Sequence, residues 1–165
     1  MRFELPSRPL AEITDKDLLR FAAILKAWTL VPVGSEGYAK AGFKAIKMKI
    51  GLGSIDRDIE RVAAVRKAIG PDVKLMVDAN HCFAVPTAIR LGRKLEELGI
   101  EWFEEPISPE DIDGYIEVTR ALDMAVAGGE NEFTRWGFRE AIVRKAMDIV
   151  QPDVCAAGGL SECKK

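Results

Sequence analysis

The sequence predicts an α/β fold: a partial TIM-type (β/α) barrel of about five to six strand–helix units. Three observations predict it. From residue 43 onward, short apolar runs alternate with amphipathic stretches. The amphipathic stretches carry helix start and stop residues. Polar residues also recur at the ends of the apolar runs, one strand–helix unit apart. Repeated units of this kind imply a parallel sheet with right-handed crossovers.

The elements follow in order. "FKAIKMKI" reads as a strand. "SIDRDIERVAAVRKAIG" reads as a helix, with Ser54 as N-cap, acids in the first turn and Gly70-Pro71 as the stop. "VKLMVDAN" is the next strand, and "VPTAIRLGRKLEELG" the next helix, with Pro86 near its start and Gly99 past its end. "IEWFEE" is a strand. Ser108-Pro109-Glu110-Asp111 then reads as a helix start with Ser108 as the cap. "MAVAGGE" is a short strand, Thr134 caps "RWGFREAIVRKAM", "DIVQPD" is a strand, and "GGLSECKK" begins a helix. Residues 1–41 are less regular and form a separate N-terminal segment, in which "DKDLLRFAAILKAW" reads as a helix and "TLVPV" as a first strand. Residues 42–165 form the barrel domain.

Composition narrows the function classes. A chain of 165 residues with 48% apolar and 30% charged content is an ordinary globular protein. A net charge of -2, with no basic stripe, gives no case for nucleic acid. No apolar stretch is long enough to span a membrane. Cys82, Cys155 and Cys163 are odd in number and widely spaced, without a zinc pattern or a disulfide framework. They fit a reducing cytoplasm and read as core or helix positions.

The polar residues at the run ends are the informative feature. Lys49 to Asp78 is 29 residues, Asp78 to Glu104 and Glu104 to Glu130 are 26 each, and Glu130 to Asp153 is 23. In a parallel barrel all C-terminal strand ends meet at one rim, where active sites are built. Asp78, Glu104 and Glu130 would offer three hard oxygen ligands from three strands, which suits Mg2+. Salt bridges to neighbouring lysines are the bland alternative.

In "AIKMKIG", Ala45, Lys47 and Lys49 share one face and Ile46, Met48 and Ile50 the other. The apolar set would pack under the outer helices, leaving both lysines on the barrel side. Beside a dication and a second lysine, an ammonium pKa is pushed down, which makes a general base available. In "GIEWFEEPIS", strand alternation puts Ile100, Trp102 and Glu104 on one face and Phe103 and Glu105 on the other. Buried carboxylates need a cation or a proton. One of the two glutamates therefore shares a face with Ile100 and Trp102 and is expected to hold such a partner.

"KMK", "VDAN", "WFEEP", "GGE" and "QPD", in this order and spacing, resemble the barrel domain of the enolase superfamily. The nearest branch is the mandelate racemase/muconate lactonizing enzyme group, and within it the sugar-acid dehydratases. The resemblance runs from about Gly42 to Lys165 and implies Mg2+ held by Asp78, Glu104 and Glu130, with Glu104 aimed inward and Glu105 pointing away toward a basic group. It implies that Lys49 is the base, that Lys47 binds the substrate carboxylate beside it, and that Asn80 supports metal and substrate. Asp153 matches an aspartate that orients a catalytic histidine, a histidine expected beyond Lys165. The implied chemistry removes the proton alpha to the carboxylate of a sugar acid, gives an enediolate stabilised by the metal, and expels a β-hydroxyl.

A whole barrel takes about 250 residues, so the last strands and the family's capping domain have no counterpart here. A weakly active or inactive fragment, and a racemase or cycloisomerase, are the alternatives to a dehydratase. His81, the only histidine, is either a general acid at the rim or a loop residue. Phe133, Trp136 and Phe138 read as packing residues. Free strand edges predict a homo-oligomer.

Overall fold

The computed structural model describes residues 43–165. The expected helix and first strand before residue 42 lie outside the described residues. Five strands alternate with five helices: β1 (Ala45–Lys49), α1 (Ile55–Ile69), β2 (Lys74–Asp78), α2 (Val85–Glu97), β3 (Ile100–Glu104), α3 (Ile112–Ala121), β4 (Ala125–Gly128), α4 (Thr134–Arg144), β5 (Ile149–Val150) and α5 (Leu160–Cys163). All neighbouring strands pair in parallel, and their spatial order is the chain order, β1 to β5. That is the order of successive staves in a (β/α) barrel, here as an unclosed sheet.

Helix boundaries follow local chemistry. Ser54 caps α1, its hydroxyl accepting the Arg57 N–H at 3.3 Å. α2 starts on Pro86 within its first turn and has no side-chain cap. The cap of α3 is Asp111 rather than Ser108: its carboxylate accepts the Gly114 N–H at 2.8 Å, while Ser108 to Asp111 forms a preceding turn. A carboxylate at the N-cap gains from the helix dipole as well as from the hydrogen bond, which a serine does not. α4 ends at Arg144, three residues earlier than its apolar pattern suggests, because Lys145 takes a left-handed conformation.

The core lies between the sheet and the helices. Leu75, Val77, Phe103 and Val126 from the strands meet Val62, Leu91, Leu95, Tyr115 and Val118 from the helices, all nearly or fully inaccessible. Ile46, Met48 and Ile50 join this side, as alternation along β1 predicts.

The alternation predicted for β3 needs a correction. Leu75 pairs with Ile100 but Val77 pairs with Phe103, so Glu101 and Trp102 of β3 oppose Met76 alone on β2. This bulge puts Ile100 in the core with Phe103 instead of on the face of Trp102 and Glu104. Trp102 and Glu104 do share a face: the indole N–H donates to Glu104 Oε2 at 3.1 Å.

Candidate functional site

Sheet register builds the site. Lys49 pairs with Asp78, and Asp78 with Glu104, each the last residue of its strand. Adjacent strands lie about 4.8 Å apart, so three ionisable side chains stand in one row across the C-terminal edge. Asp78 and Glu104 are buried. A buried carboxylate must be matched by positive charge or hydrogen bonds, and β1 supplies both lysines. Lys49 Nζ donates to Asp78 Oδ2 at 2.6 Å and also to Asn80 Oδ1. Lys47 Nζ donates to Glu104 Oε1 and stands 3.5 Å from Asp78 Oδ2.

These contacts set the electrostatics. Burial works against the Asp78 charge, yet the Lys49 ammonium, the Asn80 N–H and Lys47 outweigh it and hold the carboxyl below its ordinary value. Burial likewise disfavours the Lys47 ammonium, but Glu104 and Asp78 hold its pKa above that of an ordinary lysine. The direction at Lys47 is upward because the groups touching it are carboxylates.

A second cluster adjoins the row. Glu105 is fully inaccessible. Its Oε1 accepts from Asn131 Nδ2 at 2.8 Å, and its Oε2 lies 2.7 Å from His81 Nε2. His81 is thus the basic group expected beyond Glu105, although the carboxylate is buried among its partners rather than turned to solvent. Burial above all, aided by the Glu130 charge, raises the Glu105 pKa despite His81 and Asn131. The backbone ties the two strand ends together here: His81 N–H donates to the Glu105 carbonyl at 2.8 Å. Asn80, His81 and Glu105 all have φ between 42° and 63°. Left-handed backbone costs a non-glycine residue about 1 kcal/mol or more, and such strain concentrates where side chains must be aimed. Asn131 was invisible to sequence reasoning; its only signal was its place just after the "GGE" motif.

The periodicity is kept at Lys49, Asp78 and Glu104 and lost beyond them. Glu104 pairs with Ala127, three residues before Glu130. β4 ends at Gly128, and Gly129 turns the chain with φ 116° where a Cβ would lie 2.6 Å from the Phe138 ring. Glu130 is left exposed in that turn. Asp153 is exposed three residues past β5 and accepts the Cys155 N–H of its own turn at 2.7 Å. The structure therefore brings together Lys47, Lys49, Asp78, Asn80 and Glu104, places His81 beside them through Glu105, and does not gather Glu130 or Asp153. Phe138 packs as expected, but Phe133 and Trp136 are mostly exposed, and Cys82 and Cys155 are exposed instead of buried.

The donor set fits a hard dication. Asp78 and Glu104, two buried carboxylates side by side and here paired with two ammonium groups, are the hard oxygen donors such an ion takes. Among the described residues, no three acidic, histidine or cysteine side chains are already assembled around one point.

Residues 34–165 match the family model for enolase C-terminal domain-like proteins. The chain belongs to that family. Curated relatives include D-galactarolactone cycloisomerase of Agrobacterium fabrum, 49% identical over 124 residues, which cover 75% of this chain and 32% of that protein. Arabinonate dehydratase of Saccharolobus solfataricus is 47% identical over 128 residues, covering 78% and 34%. Among solved structures, L-talarate dehydratase from Polaromonas, complexed with Mg and L-glucarate, superposes with a TM-score of 0.75 at 34% identity, covering 79% of this chain and 36% of that one. The chain spans about a third of the length of these relatives. Enolase-superfamily enzymes are Mg2+-dependent, and homologous structures hold magnesium. No helix among the described residues is long and apolar enough to cross a membrane.

Proposed function

We propose that this chain carries the proton-abstracting half of a Mg2+-dependent sugar-acid lyase of the dehydratase type, with weak or no turnover by itself. The observation that carries the reading is the Lys49–Asp78–Glu104 row with Lys47 beside it, at the strand ends of a family whose relatives act on sugar acids. Asp78 and Glu104 would hold Mg2+, and Glu130, exposed in the turn after β4, would have to turn inward to be the third donor; the ion would supply charge stabilisation at a substrate carboxylate. Lys49 would be the residue that takes the alpha proton, on Nζ. Lys47 pairs with the substrate carboxylate, and Asn80, which already accepts from Lys49, orients that amine. His81 lies on the same rim and is the next candidate for a proton carrier. Asp153 would orient a partner outside this chain.

A cycloisomerase or racemase reading shares the abstraction step, and the 49% identity to a cycloisomerase favours keeping it. A non-catalytic fragment is the reading in which the row serves only as ion pairs. Free thiols fit a reducing cytoplasm. Exposed Trp136, Val150, Val154 and Leu160 favour self-association, which light scattering would measure.

The deciding experiment incubates the chain with Mg2+ and a panel of sugar acids in D2O and follows loss of the alpha-proton NMR signal. Exchange should occur in the parent and vanish in Lys49→Met. Exchange that persists in this variant removes Lys49 as the base and moves the role to His81; products of the parent separate dehydration from isomerisation.

A further inference from the structure

Asp58 is a buried charge on the helix side of the sheet, outside the row of ionisable residues. It is 1% exposed. Its Oδ2 accepts the Gly51 N–H at 2.7 Å, and its Oδ1 accepts from Arg61 Nη1 at 2.9 Å. The other terminal nitrogen of Arg61 donates to the main-chain carbonyl of Lys49 at 3.1 Å. From β2, the Asp78 carbonyl accepts the Ile50 N–H at 2.9 Å. Three of the four main-chain polar groups that follow the Lys49 Cα are thus held: the Lys49 carbonyl by Arg61, the Ile50 N–H by β2 and the Gly51 N–H by Asp58.

The Lys49 side chain is about half exposed, so packing does not fix it. Its aim depends on its backbone and on Asp78 and Asn80. The chain can turn away immediately after Ile50 only because residue 51 is glycine: φ is 84°, and a Cβ would sit 2.1 Å from Cys82 Sγ. An apolar residue at position 58 would pack α1 against the sheet without the cost of burying a charge. The carboxylate is placed where it holds the exit of β1 instead.

We infer that Asp58 and Arg61 form a positioning clamp that aims Lys49 at the reaction site. The inference rests on the reading of Lys49 as the base, but its test does not require turnover. The full chain is labelled with 13Cε/15Nζ lysine, and the Lys47 and Lys49 side-chain resonances are assigned from Lys47→Met and Lys49→Met. Arg61 is partly exposed, so Arg61→Met removes the carbonyl contact without opening the core; Asp58→Asn removes the charge at constant shape.

In both variants the Lys49 resonances should move toward those of free surface lysines, while Lys47, two residues earlier on the same strand, stays in place. Arg61→Lys should restore part of the Lys49 shift. Unmoved Lys49 resonances in a folded Arg61→Met protein overturn the clamp. So does an Arg61→Met protein that fails to fold, since the residue would then serve general stability. Persistent deuterium exchange in Lys49→Met would refute the base and leave the resonance result standing, so the two failures are distinct.

Discussion

Lys47→Met tests how far the site depends on its lysines when no metal is added. The substitution keeps the length and apolar stem of the side chain and deletes the charge that pairs with Glu104. Glu104 is almost fully buried, at 2%, whereas Lys47 is 38% exposed. Breaking a buried pair costs about 3–5 kcal/mol, and an exposed pair is worth under about 1 kcal/mol. The geometry lies between these limits, and Glu104 keeps the Trp102 indole N–H. The expected loss is about 2 kcal/mol, a fall of about 1 M in the urea midpoint. Glu104→Gln on top should return most of it, because the stranded charge is gone. The sign with pH follows from the raised pKa of Lys47: its contribution is present below the ordinary lysine value of 10.5 and is lost as pH rises through the higher folded value. The gap between parent and variant should therefore be level from neutral pH to about pH 10 and close above that. A variant as stable as the parent at pH 7, or a double variant worse than the sum of its parts, would refute the pairing argument.

Mg2+ should raise the thermal midpoint of the parent; Glu104→Gln should abolish that rise, while Glu105→Gln, which alters contacts to His81, Asn131 and Asn80 but none to Asp78 or Glu104, should keep most of it. Scanning calorimetry with and without Mg2+ separates the two, and equal effects would defeat the distinction between the two glutamates. Glu96 accepts the Asp123 and Met124 N–H groups; burial opposes its charge, but these donors and Arg93 hold its pKa below 4.5. Its contribution is present above that value and is lost as pH falls through the lower folded one, so Glu96→Gln should cost about 1 kcal/mol at pH 7 and little at pH 3, read from urea midpoints.

Much of the fold was legible because it rests on short-range patterns. The strand–helix alternation, the Ser54 cap and the Pro86 start are all local. The sequence alone also determined that Lys49, Asp78 and Glu104 recur one unit apart; parallel pairing, regular between β1 and β2 and shifted by one residue between β2 and β3, turned that spacing into a row.

Tertiary structure decided the rest, for reasons that no spacing encodes. The bulge in β3 exists because two strands must match both their hydrogen bonds and a shared core, and it moved Ile100 across the sheet. β4 ends at Gly128 and the chain turns at Gly129, where the Phe138 ring leaves room for no side chain, so Glu130 lies in a turn. Glu105 looked like the discarded neighbour of Glu104. Its burial against His81 and Asn131 depends on three loops meeting in space, brought together from positions 81, 105 and 131. Local pattern determines which residues reach the edge of the sheet; packing determines which of them meet.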